Sequence, residues 1–227
     1  MGQLITRRGL VVSCQAYENE PLFGADHMAE MAKAAVLGGA IGIRANGTAD
    51  IAAIKNKVNV PVIGLVKQQI GEASVYITPT LQTAYEAYEA GADIVAIDGT
   101  KRARPDGKTL REVVEALHLR NIPVMADIST VEEGLYAVEL GVEYISTTLS
   151  GYTPYSPQTA EPDVELVRQL AQLTDIPVVA EGRYRRSSDM VEALKAGAQF
   201  VVVGTAITRP QFLTELYLKA MQEKVGI

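Results

Sequence analysis

VPVIGLVK, residues 60–67, is a short apolar run that opens on a valine and proline and closes on a lysine. A proline at the entrance of a strand breaks no central ladder hydrogen bond, and the apolar residues that follow it are typical of a buried strand. The same pattern returns in IPVMAD, residues 122–127, and in IPVVAEG, residues 176–182. The repeat predicts parallel strands that each carry a charged group at the C-terminal end.

A second kind of strand entrance alternates with the first. Gly39, Gly91, Gly141 and Gly197 each precede a small or apolar residue and a run rich in valine and isoleucine. Glycine is favoured just beyond the C-terminus of a helix, so each of these glycines marks a helix end before a strand. Together with the proline entrances and the opening run LVVSCQ, residues 10–15, they predict eight parallel strands.

Eight strands that alternate with helices predict an α/β protein, a (β/α)8 TIM barrel formed by a single domain over residues 1–227. An open, doubly wound sheet is the structural alternative, but the paired repeats favour closure. Apolar residues at helical spacing predict helices over residues 25–38, 48–58, 81–90, 109–119, 131–140, 163–173, 187–196 and 211–223. Asp163 and Ser188 are predicted N-terminal caps, and Pro210 suits a first helical position.

Composition limits the class of protein. The chain has 227 residues, 48% of them apolar, which suffices for one large core. A net charge of −6 disfavours general binding to nucleic acid or anionic membranes, and no run approaches the roughly 18 apolar residues of a membrane span. The single cysteine, Cys14, excludes a disulfide within the chain and favours a reducing compartment. We therefore expect a cytoplasmic protein with no nucleic-acid and no membrane partner.

All strands of a closed parallel barrel end on one face, which is where such proteins carry their chemistry. The strand ends bring these residues to a single mouth: Gln15, Arg44, Lys67, Asp98, Asp127, Thr147, Glu181 and Gly204. Each of them, taken singly, could be a solvated or capping residue at a loop edge. Lys67 and Glu181 are the candidates for catalysis, because a lysine and a carboxylate at the ends of apolar strands can act as an acid/base pair.

The last two strands predict a phosphate site. FVVVGTAITR, residues 200–209, places Gly204 and Thr205 directly after strand eight, and Gly182 and Arg183 directly follow strand seven. Backbone amides exposed by small residues, with an arginine nearby, form the phosphate cradle that barrels build from their last two loops. The alternative is that the glycines only permit tight turns. Among the nearby arginines, Arg209 is the predicted phosphate ligand because it stands just ahead of the last helix.

Other candidates are weaker. Tyr152, in the loop after strand six, could close over a bound ligand. The basic run at residues 101–104 could cover the mouth or be solvated. His27 and His118 fall on predicted helices away from the strand ends, so neither forms a metal-binding set or a catalytic triad, and no metal is expected.

Several strings together resemble the N-acetylmannosamine-6-phosphate 2-epimerase family over nearly the whole chain, from about Gly9 to Arg209. They are SCQ (13–15), IGIRA (41–45), PVIGLVK (61–67), VYITPT (75–80), DGTKRARPDG (98–107), TTLSGYT (147–153), EPD (161–163), AEGRY (180–184) and VGTAITR (203–209). One departure is visible, since Gln68-Gln69 follow Lys67 where many relatives carry Arg-Asp.

The resemblance implies a barrel that interconverts N-acetylmannosamine 6-phosphate and N-acetylglucosamine 6-phosphate in amino-sugar and sialic acid breakdown, with no metal and no organic cofactor. It implies that Lys67 and Glu181 are the acid/base pair. It further implies that the sugar and its acetamido group are held by Gln15, Arg44 and Asp127, and that the phosphate is bound by Arg209 with the loop amides around Gly182, Gly204 and Thr205. Thr147 and Tyr152 are expected to add substrate contacts, and Arg183 a phosphate contact.

Epimerisation at C2 removes a proton next to the carbonyl carbon of the open-chain sugar and returns one to the opposite face. A lysine acts as the base only when it is neutral, and its ordinary pKa is about 10.4. Partial burial and the charge of Arg44 could lower the pKa of Lys67 toward the working range. One base serving both faces and two groups serving one face each remain alternatives, as does whether Asp127 or Glu181 helps to open the ring.

Two other functions are compatible with the sequence. An aldolase acting on a phosphosugar would use Lys67 to form a Schiff base, and a non-catalytic phosphosugar-binding module would use the charged mouth for recognition alone. The final helix, FLTELYLKAMQEKV (212–225), carries a broad apolar face, so we expect a homodimer.

Overall fold

Within residues 4–226, which the computed structural model describes, eight short strands run parallel and alternate with helices. The strands are β1 (Gly9–Cys14), β2 (Gly42–Asn46), β3 (Val62–Leu65), β4 (Ile94–Asp98), β5 (Val124–Asp127), β6 (Tyr144–Ser146), β7 (Val178–Glu181) and β8 (Phe200–Val203). Each strand pairs with the next along the chain, and β1 also pairs with β8. The sheet is therefore a closed barrel, which confirms the predicted fold and excludes the doubly wound sheet.

The helices follow the predicted ranges to within a few residues at each end. They are α1 (Ala25–Leu37), α2 (Thr48–Lys55), α3 (Leu81–Glu89), α4 (Leu110–Leu119), α5 (Val131–Glu139), α6 (Val164–Leu173), α7 (Ser187–Lys195), α8 (Thr205–Thr208) and α9 (Pro210–Val225). Asp163 caps α6 as predicted, since its carboxylate accepts the Leu166 N–H at 2.9 Å. Pro210 is the first residue of α9, also as predicted. The short helix α8 was not predicted, because a single turn is too short to show a periodic pattern.

The prediction that Ser188 caps α7 is wrong. The helix begins at Ser187, so Ser188 lies inside its first turn. The carboxylate of Asp189 reaches back instead and accepts the backbone N–H of Arg186 at 3.2 Å. An acidic side chain in the first turn therefore caps the N-terminus of α7 in place of the predicted serine hydroxyl.

Both kinds of strand entrance have the predicted geometry. Pro61 stands immediately before β3, and its carbonyl accepts the N–H of Ile43 in β2 at 3.0 Å. Pro123 does the same before β5, accepting from Val95 in β4 at 2.9 Å. Each proline therefore joins the ladder through its carbonyl, which is the only backbone hydrogen-bonding group it has. The glycines lie in the left-handed region that favours glycine, as at Gly91 with a φ of 109°.

Residues alternate between two apolar layers along each strand. Ile63 and Leu65 of β3 point into the barrel, where they pack with Met125 and Phe200. Val62 points outward into the layer between the sheet and the helices. Cys14 also lies in this outer layer, fully buried, and burial raises the pKa of its thiol to about 12. The inner layer fills the barrel, so the polar strand ends lie above a packed apolar plug.

The opposite end of the barrel is closed by the segment before β1. Ile5 is buried against the inner layer, and its N–H donates to the hydroxyl of Tyr144 at 2.9 Å. The ring of Tyr144 packs against that of Phe200, with 5.8 Å between the centroids. This arrangement leaves the C-terminal mouth as the open end of the barrel.

Gly64 of β3 packs tightly against α2 and against the chain just before β4, and we expect Gly64→Ala to destabilise the fold. A Cβ at this position would lie 2.5 Å from Cβ of Ala92 and 2.9 Å from Cδ1 of Ile51. Overpacking of this kind costs about 2 kcal/mol in the free energy of unfolding. Urea denaturation of the two proteins measures it.

Gly38→Ala is the matched control, because Gly38 ends α1 with a φ of −75° and its added Cβ would meet only carbonyls of its own helix. We expect its unfolding midpoint to stay close to that of the wild type. Equal midpoints for Gly64→Ala and Gly38→Ala would contradict the tight packing of β3.

Candidate active site

Arg44 of β2 is a deeply buried charged group at the mouth, with 1% of its side chain exposed. Its terminal amino groups donate to the two carboxylate oxygens of Asp127 at 3.1 and 2.5 Å. The Nη1 atom also lies 3.0 Å from Oε2 of Glu181. A planar guanidinium presents several donors in fixed directions, so one side chain can hold two carboxylates. Arg44 therefore joins the ends of β2, β5 and β7.

The hydroxyl of Thr148, just after β6, bridges the carboxylates of Asp127 and Glu181. Oγ1 of Thr148 lies 2.9 Å from Oδ1 of Asp127 and 3.1 Å from Oε2 of Glu181. The Ser146 hydroxyl lies 2.8 Å from that of Thr148. Thr147 faces the other way: its hydroxyl donates to the carbonyl of Glu181 at 2.9 Å and accepts the N–H of the same residue at 3.1 Å. The Thr148 hydroxyl therefore faces the mouth of the barrel, whereas the Thr147 hydroxyl holds the backbone of Glu181.

Lys67 follows β3, and its backbone is anchored on both sides. Its N–H donates to Oδ1 of Asn46 at 2.7 Å. After the intervening loop the chain returns, and Ile77 pairs with Lys67 in an isolated antiparallel bridge. The Lys67 side chain lines the cavity at the mouth, so a fixed backbone presents a long, flexible cation.

The returning segment is held against β4 by Thr78 and Arg104. Thr78 has a φ of 45°, an uncommon conformation for a β-branched residue, and its hydroxyl donates to a carbonyl of β4 at 2.6 Å. Arg104 is buried and donates to the carbonyls of Thr78 and Asp98 at 2.7 and 2.9 Å. Arg102 pairs with the Asp98 carboxylate at 2.6 Å. These two arginines of the basic run therefore support the segment that fixes Lys67.

Burial displaces the pKa values of the two predicted catalytic groups in opposite directions. Burial lowers the pKa of Lys67 below its ordinary value, and the nearby charge of Arg44 lowers it further against the pull of the carboxylates. Burial raises the pKa of Glu181, which Arg44 opposes and Asp127 reinforces. Burial also acts against the charge of Arg44, but the two carboxylates hold its pKa above the ordinary value. The site therefore combines a permanent cation with a carboxyl group and an amine whose pKa values are both moved toward neutral pH.

A cavity of about 290 Å³ opens at this mouth. Small residues that follow the last two strands form part of its wall, namely Gly182, Gly204, Thr205 and Ala206, and Arg209 lies beside them. The helix α8 begins directly after Gly204, and the first amides of a helix have no acceptor within it. Free amides, small residues and an arginine make a cradle suited to a phosphate.

Most of the predicted site residues line this one cavity. They are Gln15, Arg44, Lys67, Tyr152, Glu181, Gly182, Arg183, Gly204, Thr205 and Arg209. Asp127 is fully buried behind Arg44, and Thr147 is turned toward the Glu181 backbone, so neither belongs to the cavity wall. Direct substrate contact by Asp127 or Thr147 stays a prediction. The side chains of Asp127 and Thr147 both lie behind the residues that form the cavity wall.

Arg183 binds the loop after β6 through Nε and Nη1. It donates to the carbonyls of Ser150 and Glu161 at 2.5 and 2.9 Å. Its guanidinium lies 5.6 Å from the ring centroid of Tyr152. Phosphate contact by Arg183 stays a prediction. The guanidinium of Arg183 also packs near the ring of Tyr152 at the edge of the cavity.

The unpredicted polar residues of the cavity wall include Ser13, Tyr17, Tyr76, Thr148 and Thr208. Thr148 stands next to the predicted Thr147, and no sequence pattern distinguishes the two. Tyr17 and Tyr76 reach the cavity only because the loops after β1 and β3 fold back over the mouth. Contacts that depend on loop paths have no periodic signal in the sequence.

Among the described residues 4–226, no group of three or more His, Cys, Asp or Glu side chains is placed to hold a metal ion. In the same part of the chain no helix is long and apolar enough to cross a bilayer. The expectation that the protein needs neither a metal nor an organic cofactor stays a prediction.

Comparison with known proteins gives consistent matches. A family model described as "Putative N-acetylmannosamine-6-phosphate epimerase" matches residues 28–223. A protein of Caldanaerobacter subterraneus subsp. tengcongensis named "Putative N-acetylmannosamine-6-phosphate 2-epimerase" is 52% identical over 218 residues, which cover 95% of this chain and 92% of the relative. A protein of the same name from Clostridioides difficile is 45% identical over 213 residues, covering 94% of this chain and 96% of the relative.

A solved structure is also similar over most of its length. The N-acetylmannosamine-6-phosphate 2-epimerase from Clostridium perfringens superposes with a TM-score of 0.92 at 43% sequence identity. The match covers 95% of this chain and 94% of that structure. The likeness therefore extends over the barrel and the loops that form its mouth.

The lowered pKa of Lys67 predicts that Lys67→Met stabilises the protein. The folded chain disfavours the charged lysine, so at pH 7 removal of the charge is expected to raise the free energy of unfolding by about 1 kcal/mol. The gain is full below the folded-state pKa and shrinks as the pH rises toward the ordinary value of 10.5, where the unfolded chain also loses its proton. Urea denaturation at pH 7 and near pH 10 measures both effects.

Lys33→Met is the control, because Lys33 is exposed on α1. Its substitution is expected to change the free energy of unfolding little at either pH. A Lys67→Met protein less stable than the wild type at pH 7 would show that the folded state favours the ammonium.

Proposed function

We propose, because the chain belongs to the N-acetylmannosamine-6-phosphate epimerase family, that it interconverts N-acetylmannosamine 6-phosphate and N-acetylglucosamine 6-phosphate by inversion at C2. It is accordingly a carbohydrate epimerase of amino-sugar metabolism. The observation that carries the proposal is the single cavity that holds Lys67, Glu181 and a phosphate cradle. The reacting carbon and the phosphate of one small sugar can be held there together.

Lys67 is the proposed base at C2. Its lowered pKa increases the neutral fraction near pH 7, which is the form that accepts a proton. The proton passes from C2 to Nζ of Lys67, and the electron pair of the C–H bond moves into the neighbouring carbonyl, giving an enolate. Return of a proton to the opposite face of C2 completes the inversion.

Glu181 is the proposed acid. Its raised pKa increases the protonated fraction, so it can donate a proton either to C2 or to the ring oxygen during ring opening. Oε2 of Glu181 is within reach of Arg44 and of the Thr148 hydroxyl, which fix its orientation. Both a one-base route through Lys67 and a two-group route through Lys67 and Glu181 are compatible with this geometry.

Arg44 supplies the positive charge that an enolate oxygen requires. Its Nη atoms are taken by Asp127 and Glu181, whereas its buried Nε has no hydrogen-bond partner among the described residues. A buried donor without a partner is rare in folded proteins. Preorganised donors of this kind stabilise charge that develops in a transition state. Asp127 acts behind Arg44 and keeps its charge in place.

The remaining cavity residues are proposed to bind the substrate. Arg209 and the amides around Gly182, Gly204 and Thr205 bind the phosphate, and Gln15 and Tyr152 contact the sugar. The family relationship favours this epimerase over the Schiff-base aldolase and over the non-catalytic binding module. We further propose a cytoplasmic location, which the presence of a single, buried cysteine supports.

Proton NMR of N-acetylmannosamine 6-phosphate in heavy water tests the reaction. The wild type is expected to produce the N-acetylglucosamine isomer, with solvent deuterium at C2. Lys67→Ala is expected to abolish turnover, and Glu181→Gln to lower it by about a hundredfold or more, the size typical of a lost general acid or base. Slow deuterium uptake relative to turnover would favour the one-base route.

Lys108→Ala is the matched control, since Lys108 is exposed in the loop before α4. It is expected to turn over at the wild-type rate. Full activity of Lys67→Ala would end the proposal, and a Lys67 adduct trapped by borohydride in the presence of substrate would favour the aldolase.

The final helix supports a homodimer. None of the residues of α9 is buried, although the helix exposes several large apolar side chains: Leu216, Tyr217, Leu218, Met221 and Val225. A second copy of the chain would remove this surface from water. Sedimentation velocity is expected to give twice the mass of one chain, and Leu216→Asp combined with Met221→Asp to shift the protein toward one chain.

Gln222→Asp places a charge on the same helix at a polar position and is expected to leave the mass unchanged. A wild-type protein that sediments as a single chain at micromolar concentration would rule out the homodimer.

A further inference from the structure

The loop after β1, residues 15–24, is tied to the phosphate side of the cavity by Glu20. One carboxylate oxygen of Glu20 accepts the Tyr17 N–H at 2.8 Å. The other lies 3.0 Å from Nε of Arg209 and 3.1 Å from Nε2 of Gln211. Only 15% of the Glu20 side chain is exposed, so solvent screens these contacts weakly. One side chain thus joins the first loop of the barrel to the last.

Glu20 determines which part of Arg209 remains available. The carboxylate contacts Nε, the inner nitrogen of the guanidinium, and Arg209 also lines the cavity. An arginine held through Nε keeps its terminal amino groups for a second partner, and a phosphate takes two donors side by side. The contact with Glu20 therefore leaves Arg209 in the pose that a phosphate needs.

Tyr17, whose N–H is held by Glu20, places its ring next to two cations of the site, Lys67 and Arg209. The ring centroid lies 4.8 Å from Cζ of Arg209 and 5.8 Å from Nζ of Lys67. An aromatic face within about 6 Å attracts a cation. The same ring thus stabilises the guanidinium proposed to bind phosphate and the ammonium form of the proposed base.

We propose that Glu20 and Tyr17 are positioning residues that link the two ends of the substrate site: Glu20 orients Arg209 toward the phosphate, and the Tyr17 ring supports both Arg209 and the protonated form of Lys67. This assignment rests on the proposed epimerase function. Neither residue was singled out by the sequence, because the link exists only where the closed barrel brings the first loop beside the last.

The ring of Tyr17, 5.8 Å from Nζ of Lys67, acts in the same direction as the two carboxylates and against burial and the charge of Arg44. Burial and the charge of Arg44 favour the neutral lysine, whereas Tyr17, Glu181 and Asp127 favour the ammonium. Tyr76 on the returning segment also faces the same cavity. Catalysis needs Lys67 in both forms, because it must release the proton that it takes. A group that limits how far the pKa of Lys67 is lowered therefore helps to keep both protonation states available during the catalytic cycle.

Two substitutions of Tyr17 separate the ring from its hydroxyl. Tyr17→Leu removes the aromatic face and is expected to raise the KM about two- to fivefold, and to move the acidic limb of the kcat/KM profile to lower pH by about 0.4 unit. Tyr17→Phe keeps the face and is expected to stay near the wild type in both. Tyr88→Leu, on the exposed end of α3, is the control for loss of a surface tyrosine. A Tyr17→Leu profile that superposes on that of the wild type would overturn the role of the ring.

Glu20 is tested by the affinity for inorganic phosphate, measured by isothermal titration. Glu20→Ala is expected to weaken phosphate binding and to raise the KM about tenfold with kcat little changed. Glu20→Gln is expected to lie between Glu20→Ala and the wild type, because its single amide oxygen can keep one of the two contacts, with Tyr17 or with Arg209, but not both. Glu18→Ala in the same loop, at an exposed position, is the control.

Phosphate affinity tests the positioning role of Glu20, and turnover by the wild type tests the epimerase function. Tighter phosphate binding by Glu20→Ala would show that Glu20 competes with the phosphate for Arg209, and would overturn its positioning role. Unchanged phosphate binding would do the same. A wild type without turnover would count against the epimerase function, whereas the dependence of phosphate affinity on Glu20 would still be measured directly.

Discussion

Arg44 lies between the carboxylates of Asp127 and Glu181 with almost no exposure to solvent. Loss of one partner from a buried ion pair leaves an uncompensated charge and costs about 3–5 kcal/mol. The three groups are therefore stable only together, and they stand on β2, β5 and β7, which are brought face to face only by closure of the barrel. With Lys67 the cluster carries two positive and two negative groups, so the mouth can hold four ionisable side chains without a large net charge.

This balance explains why opposite pKa shifts coexist in one small space. Burial favours the neutral forms of Arg44, Lys67 and Glu181, but the two nearby carboxylates keep Arg44 ionised. The pKa values of Lys67 and Glu181 are displaced toward neutrality, because Lys67 lies near the positive charge of Arg44 and Glu181 shares Arg44 with Asp127. The fold makes this possible by packing an apolar layer directly below the site, where Leu65 of β3 precedes Lys67 by two residues. An exposed lysine in the same loop would keep its ordinary pKa and could not serve as a base near pH 7.

Much of this arrangement could be predicted from the sequence, because strand entrances, strand ends and helix periodicity are encoded locally. Pro61 and Gly91 mark their strands by backbone chemistry alone, and Lys67 and Glu181 stand out as charges at the ends of apolar runs. The orientation of neighbouring side chains could not be predicted in this way. Thr147 and Thr148 lie in a short 3-10 turn after β6, which turns the first toward the Glu181 backbone and the second toward the carboxylates. Arg183 likewise has a φ of 63°, and no pattern of residue types in the sequence predicts that backbone conformation.

Closure of the barrel has a further consequence for the loops. The pairing of β1 with β8 places Gln15 and the loop after β1 beside the cradle that follows β8, although nearly two hundred residues separate them along the chain. The hydroxyl of Thr208 donates to the carbonyl of Ser13 at 3.2 Å, and Glu20 reaches Arg209 from the same side. Such contacts form only when the last strand has docked, so the proposed phosphate cradle is completed by the event that completes the fold. In the proposed function, a site assembled across this seam would hold both ends of the substrate from one rigid frame, and rigid support of that kind is what proton transfer at a single carbon requires.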